Sequence, residues 1–362
     1  MAYDDARARA SPGPAIVERT WVIMEFRPLG RTGVQVSQLC LGAMMFGEWG
    51  TKDHEESIRI IHRALDAGIN FIDTADVYSA GESEEIVGKA IAGRREEIVL
   101  ASKVHGAMGE DPNRRGNSRR WIIAEVENSL RRLGTDWLDL YQVHRYDPAV
   151  DLEVTLGALS DLVRSGKVRY FGHSTWPVSA IVEAQWTSER RALERFWTEQ
   201  PSYSVLTRGA EKDVLPTCAR YGLGVLSYSP LAGGWLSGRW RKGAGQQSST
   251  RAGRLPERFD ISTPENQRKL EAADALAQLA EQAGLSLVEL AIAFVLRHPT
   301  ISAAIIGPRT MEHLESQLTA TKVVLGDDVL DAIDRIVAPG VTLNPADDGW
   351  VSPSLAPAAR RR

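Results

Sequence analysis

The chain has 362 residues, 43% of them hydrophobic and 25% charged, which is ample apolar material for a large core. A formal net charge of −4 and a pI near 6.0 give no electrostatic reason to expect nucleic acid or an anionic membrane as partner. Cys40 and Cys218 stand alone with no CxxC pair, so neither a disulfide framework nor a zinc site is suggested, and a reducing cytoplasm fits best.

Residues 1–23 are rich in Ala, Arg and Pro, lack the apolar core of a secretory signal, and are expected to form a disordered lead, with Met24 an alternative start. No run approaches the ~18 apolar residues that span a membrane. From Glu25, EFRPLGRTGVQVSQLCLGAMMFG predicts two hairpin strands turning at Gly30 and Gly33, then an apolar strand over 36–41 ending at Gly42. A helix starts at Thr51 or Asp53, with Ile58, Ile61, Ala64 and Leu65 on one 3.6-period face. GINFIDTADVY then breaks that helix and gives a short buried strand ending at Asp73, with Tyr78 in the loop beyond.

The alternation continues to the end of the chain. Helices are expected over 82–90, 119–133, 152–165, 178–193 and 211–221, and strands over 98–101, 137–143, 168–174, 195–200 and 224–230. A polar, Gly-rich stretch over 232–263 is too long for a simple connection and reads as a functional excursion. Helices over 264–283 and 286–297, a strand over 303–306 and helices from 310 and near 327–337 complete the series. About eight strand–helix units in one run predict a single (β/α)8 barrel over residues 24–340. The tail beyond 340, rich in Pro and Ala from 351 and ending in three arginines, is expected to be mobile.

Each strand runs out into polar or small residues: Gly42, Asp73 with Tyr78, Lys103, His144, Ser174, Gln200, Tyr228 and Gly307. In a barrel all of these open on the C-terminal face, where barrel enzymes keep their chemistry. An ammonium at Lys103 favours the phenolate of Tyr78 and lowers its pKa. Asp73 keeps Lys103 charged, and His144 aims a substrate carbonyl at the phenol. The four suit protonation of an oxygen that is becoming an alkoxide; a hydride source is missing. Taken singly each has a plain alternative: Asp73 capping a loop, Tyr78 packing on the rim, Lys103 on the surface, His144 bonded structurally.

The stretches LGRTGVQVSQLCLGAMMFG, GINFIDTADVYSAGESEEIVGKAI, VLASKV, RRLGTDWLDLYQVHR, SGKVRYFGHST, EQPSY, YSPLAGGWLSGR and IIGPRTMEHLESQL make the chain resemble the aldo-keto reductases over nearly all of 25–320, in the family's order. The resemblance implies a tetrad of Asp73, Tyr78, Lys103 and His144, with Tyr78 as general acid. It also implies a nicotinamide cofactor lying extended across the barrel mouth without a Rossmann domain. Gly42, Met44 and Asp73 are implied cofactor contacts. Ser174 and Gln200 would hold the carboxamide, with Thr175 where the family usually has Asn, and Tyr228 would stack on the nicotinamide. Ser229, Pro230, Leu231 and Gly233 would follow the pyrophosphate with Leu236 nearby, and Gly307 and Arg309 would meet the adenosine phosphate. His313 and Gln317 occupy the places where the family's last motif often has Gln and Asn. A guanidinium at Arg309 pairs bidentately with a 2′-phosphate, so NADPH is expected over NADH.

Rival signatures are missing. No Gly-x-Gly-x-x-Gly follows a strand, no tyrosine has a lysine four residues on, and Gly172–Trp176 fails as Gly-x-Ser-x-Gly. His54 and His62 lack metal-site spacing. One other reading remains, a non-catalytic, cofactor-binding partner subunit of the same superfamily; an isomerase or lyase using Lys103 as a Schiff base would require that lysine free of its acid partner, and the cofactor-like C-terminal motif disfavours it. Met45, Trp49, Arg145, Tyr146, Trp176 and Trp350 are candidate walls for a small carbonyl substrate, with Arg145 hinting at a polar or anionic group on it. The oligomeric state is not legible.

Overall fold

The computed structural model describes residues 17–19, 24–248, 250–350, 355 and 357–360. Eight short apolar strands close into a parallel barrel: β1 (Leu39–Gly42), β2 (Phe71–Asp73), β3 (Val99–Val104), β4 (Leu138–Val143), β5 (Val168–Ser174), β6 (Thr198–Gln200), β7 (Gly224–Ser227) and β8 (Ile301–Ile306). Each pairs with its neighbour in sequence, and β8 closes the ring on β1 through Ala304 opposite Leu39 and Ile305 opposite Cys40. The register sets Gly42 opposite Asp73, Lys103 opposite Gln142 and Ser174 opposite Gln200, so the polar residues gather near one level of the mouth.

The helices surround this ring: α1 (His54–Asp66), α2 (Glu82–Ile91), α3 (Arg119–Leu133), α4 (Leu152–Arg164), α5 (Val178–Arg191), α6 (Val214–Tyr221), α7 (Pro264–Gln282), α8 (Leu287–Arg297), α9 (Met311–Leu318) and α10 (Asp327–Ile336). Several begin where a side chain caps the exposed first amides: Asp53 accepts from Glu56 N, Thr310 from His313 N, and Ser286 forms a capping box with Glu289. Among the described residues no single helix is long and apolar enough to cross a membrane.

The apolar stretch expected over 36–41 is divided between two elements. Gln35–Ser37 pairs antiparallel with Phe26–Pro28, and only from Leu39 does the chain enter the barrel. This hairpin plugs the N-terminal end: Leu29 and Val36 pack with Cys40, Phe71, Leu140 and Leu226 inside the ring. Gly30 makes that fit possible. Its φ is 56°, and a Cβ there would lie 2.4 Å from the Gly224 nitrogen.

The stretch over 232–263 contains short helical turns at Ala232–Ser237, Thr250–Arg254 and Pro256–Arg258. It is stapled by an aromatic stack in which Trp235 and Trp240 lie 4.0 Å apart, with Phe259 parallel to Trp235 at 6.2 Å. Residues 341–350 of the tail are bound to the barrel: Leu343 N donates to Leu206 O at 3.1 Å, and Asn344 Nδ2 to Asn266 Oδ1 at 2.8 Å. In the lead, Val17–Arg19 pairs antiparallel with Val323–Leu325; the rest of residues 1–23 and most of 351–362 lie outside the described residues.

Candidate active site

Alternation along the strands decides which side chains reach the barrel interior. Phe71, Ala101 and Leu140 face the axis low in the barrel. Two residues on, at the mouth, the same faces carry Asp73, Lys103 and Gln142. Lys103 Nζ donates to Asp73 Oδ2 at 2.5 Å, to Thr74 O at 2.8 Å and to the Tyr78 phenol oxygen at 3.2 Å. The ammonium has three protons and all three have acceptors. The other oxygen of Asp73 accepts from Gln142 Nε2 and Gln200 Nε2, both at 2.9 Å. Tyr78 is delivered by a tight turn after β2 in which Ser79 and Ala80 have φ of 49° and 56°.

Burial works against the charge of Lys103, but Asp73 and then Tyr78 outweigh it, so its pKa is raised and the ammonium persists. Burial pushes the Tyr78 phenol above its ordinary value; Lys103 pulls it down without prevailing, and Asp73 adds to the rise. The expected acidification of the phenol is therefore reversed in net direction, because the phenol is far more deeply enclosed than its loop position implies. His144 is held well below its usual value, first by burial and then by the charges of Lys103 and Arg145, so it is neutral. Its ring has no hydrogen-bond partner among the described residues and stands edge-on to Tyr78, centroids 5.8 Å apart. The structure thus brings all four expected residues together.

Beside them, Ser174 Oγ donates to Gln200 O at 2.9 Å, and Thr175 Oγ1 lies 3.3 Å from the Tyr228 hydroxyl. Thr175 has φ 56°, fixed by Glu199 Oε1, which accepts its amide at 2.8 Å. Glu199 is in turn bonded to His173 in the barrel wall. Gln200 commits its amide nitrogen to Asp73 and to Gln142, 3.2 Å away. Gly42 sits under β8, where a Cβ would meet Ile305 Cγ2 at 2.7 Å. Past β7, Ser229 and Ala232 have φ of 58° and 48° and Gly233 has 71°, a run of left-handed residues around buried Pro230 and half-buried Leu231. Leu236 is fully buried in the core and lines no groove. Exposed Gly307 and half-buried Arg309 precede α9, on which His313 lies close enough to Arg309 for that charge, after burial, to lower its pKa. Gln317, also on α9, is buried with its Oε1 unpartnered.

Of the expected pocket walls, Trp49 lies 6.0 Å from Tyr78, and Met45, Arg145, Tyr146 and Trp350 are half-buried. Trp176 is 2% exposed, stacked on His173, and belongs to the core. Two residues escaped the sequence reading. Gln142 was signalled by its parity with Leu140 and His144. Arg251, in the stretch over 232–263, had no signal. Its Nη2 lies 3.9 Å from Met44 Sδ, and its Nη1 is 3.5 Å from where a Gly233 Cβ would stand. Among the described residues it has no carboxylate partner. Burial, and then Arg258, Arg254 and Arg309, push it down to about 10. A half-buried guanidinium crowded by three others suits an anionic group, and the orphaned Gln317 Oε1 suits a donor such as an amine.

The model of the aldo/keto reductase family matches residues 38–338. The uncharacterized oxidoreductase YrpG of Bacillus subtilis (strain 168) is 40% identical over 326 residues, covering 86% of this chain and 96% of that protein. The putative voltage-gated potassium channel subunit beta of Schizosaccharomyces pombe is 35% identical over 320 residues, 86% and 93% of the two chains. The aldo-keto reductase YhdN of Bacillus subtilis (strain 168) is 34% identical over 319 residues, 87% and 94%. A barrel with this mouth, matched along most of its length, belongs to the aldo/keto reductase family of oxidoreductases.

Proposed function

We propose that the protein reduces an aldehyde or ketone to an alcohol with NADPH, Tyr78 giving the proton. NADPH, when bound, supplies the hydride to the carbonyl carbon. The observation that carries the reading is the complete commitment of Lys103. Its third proton goes to the Tyr78 oxygen, which leaves the phenol's own O–H free to donate outward. Once the proton leaves, the phenolate lies beside a buried ammonium fixed by Asp73, so the charge forms where it is already compensated. Neutral His144 donates to the same substrate oxygen and orients it. Ser174, Thr175, Gln200 and Tyr228 would hold the nicotinamide end, Ser229–Gly233 and Arg251 the pyrophosphate, and Arg309 and Gln317 the adenosine end. Arg251 and Arg309, which have no carboxylate partner among the described residues, favour NADPH over NADH. The free, buried Cys40 and Cys218 suit a reducing cytoplasm.

The test is consumption of NADPH and NADH with a panel of aromatic aldehydes, for wild type and Tyr78→Phe. The expected result is turnover with NADPH whose kcat falls ~10²–10⁴-fold in the variant while NADPH affinity holds. Undiminished turnover by Tyr78→Phe would sink the mechanism. The relatives named as potassium channel β subunits favour a second reading, a cofactor-binding partner subunit. That reading expects NADPH binding, seen by fluorescence, without turnover across the panel.

A further inference from the structure

Arg145 follows His144 directly, so its guanidinium stands at the mouth beside the groups that would receive the carbonyl. Its Nη1 donates to His144 O at 2.6 Å and lies 3.5 Å from both Ser174 Oγ and Thr175 Oγ1. These contacts pin one corner of the fork and leave Nε and Nη2 without a partner among the described residues. Four other enclosed arginines are neutralised by carboxylates: Arg95 by Asp139, Arg132 by Glu84 and Glu125, Arg208 by Glu211 and Asp334, Arg258 by Asp347. Arg145 is not. The acid nearest in sequence, Asp147, turns its Oδ1 to the Ala149 amide. Leaving a half-buried guanidinium uncompensated is costly, and a planar fork with two free donors matches a carboxylate.

Resting on the reductase reading above, we propose that Arg145 is the specificity-determining residue of the substrate pocket and that the substrate is a carbonyl compound bearing a carboxylate. Tyr78 and His144 fix the carbonyl oxygen; Arg145, one residue from His144, fixes the carboxylate. Half-buried Trp49, its ring 6.0 Å from that of Tyr78, walls the carbon skeleton beside the carbonyl.

The test compares 4-formylbenzoate with its neutral methyl ester, which share the ring and the aldehyde. Wild type is expected to prefer the carboxylate by ~10–100-fold in kcat/KM, mostly through KM. Arg145→Met, which keeps the stem and removes the charge, is expected to bring that ratio to near one by raising KM for the carboxylate. Arg145→Lys should restore part of the preference. An unchanged ratio in Arg145→Met overturns the proposal. Equal loss on both aldehydes with weakened NADPH binding also overturns it and assigns Arg145 to the cofactor. If neither aldehyde is turned over, the reductase reading fails on its own. Calorimetric titration of NADP+-loaded protein with 4-formylbenzoate then still decides whether Arg145 binds the carboxylate: loss of binding in Arg145→Met supports the proposal, equal binding overturns it.

Discussion

Lys103 shows what one side chain can hold in place. It is fully buried, in ion contact with Asp73, and its charge is the reason that Asp73, Gln142, Gln200 and Tyr78 share one bonded cluster. Replacing it with Met leaves the Asp73 carboxylate enclosed without its cation, and breaking such a pair costs ~3–5 kcal/mol. Lys103→Met should therefore lower stability by about that much in urea unfolding. The pH dependence comes from the sign of the shift. The folded pKa is raised above the unfolded value of 10.5, so the contribution is fully present below 10.5 and is lost as pH rises through the folded value. The gap between wild type and variant should stay flat from pH 6 to 9 and close only in strong alkali. A gap that closed between pH 6 and 9 would mean that Lys103 is not the charged partner.

At the scale of elements, two long-range ties organise the mouth. Asp347 accepts from Arg258 Nε at 2.6 Å and lies in ion contact with Lys269 Nζ, also at 2.6 Å. Burial pushes Lys269 down to about 8 against the pull of Asp347. This clamp joins the strap over 341–350 to the stretch after β7. The strap then crosses Tyr228 so closely that a Cβ on Gly349 would lie 2.1 Å from the phenol oxygen. Asp347→Ala strands buried Lys269 and half-buried Arg258, and a cost of ~3 kcal/mol corresponds to on the order of 100-fold faster amide exchange over 341–350. Exchange in β1–β4 should not change. Uniform acceleration through the barrel would show that the strap is not an independent unit. These ties explain what the sequence left unread. Asp73, Lys103 and His144 were legible because strand parity is local, and the same parity points to Gln142, which pairs opposite Lys103 at the same level of the mouth. The hairpin took Val36 because pairing with Arg27 outcompeted an apolar run that looked continuous. Arg251 and Asp347 owe their positions to partners dozens to hundreds of residues away, which neither periodicity nor turn chemistry encodes.

At the scale of the whole molecule, the barrel is closed by its first and last strands, and Cys40 sits at that seam, opposite Ile305. Its thiol is inside the ring, pushed well above its ordinary value by burial and then by the charge of Asp73. Cys218, on α6 in the outer layer, is also raised, by burial and then by Glu199. The thiolate is the reacting species, so both are inert until exposed, and labelling by a thiol reagent reports opening of their surroundings. The two openings differ physically. Exposing Cys40 means parting β8 from β1 and lifting the hairpin plug that packs Leu29 and Val36 against it, which dismantles the ring. Exposing Cys218 needs only the eight-residue α6 to detach, and short outer helices open with less free energy than the core. Peptide-resolved labelling in increasing urea should show Cys40 tracking the circular-dichroism transition, while Cys218 labels earlier with little denaturant dependence. Cys40 labelling ahead of the transition would mean that the seam opens by itself and that the eight strands do not close as one cooperative unit.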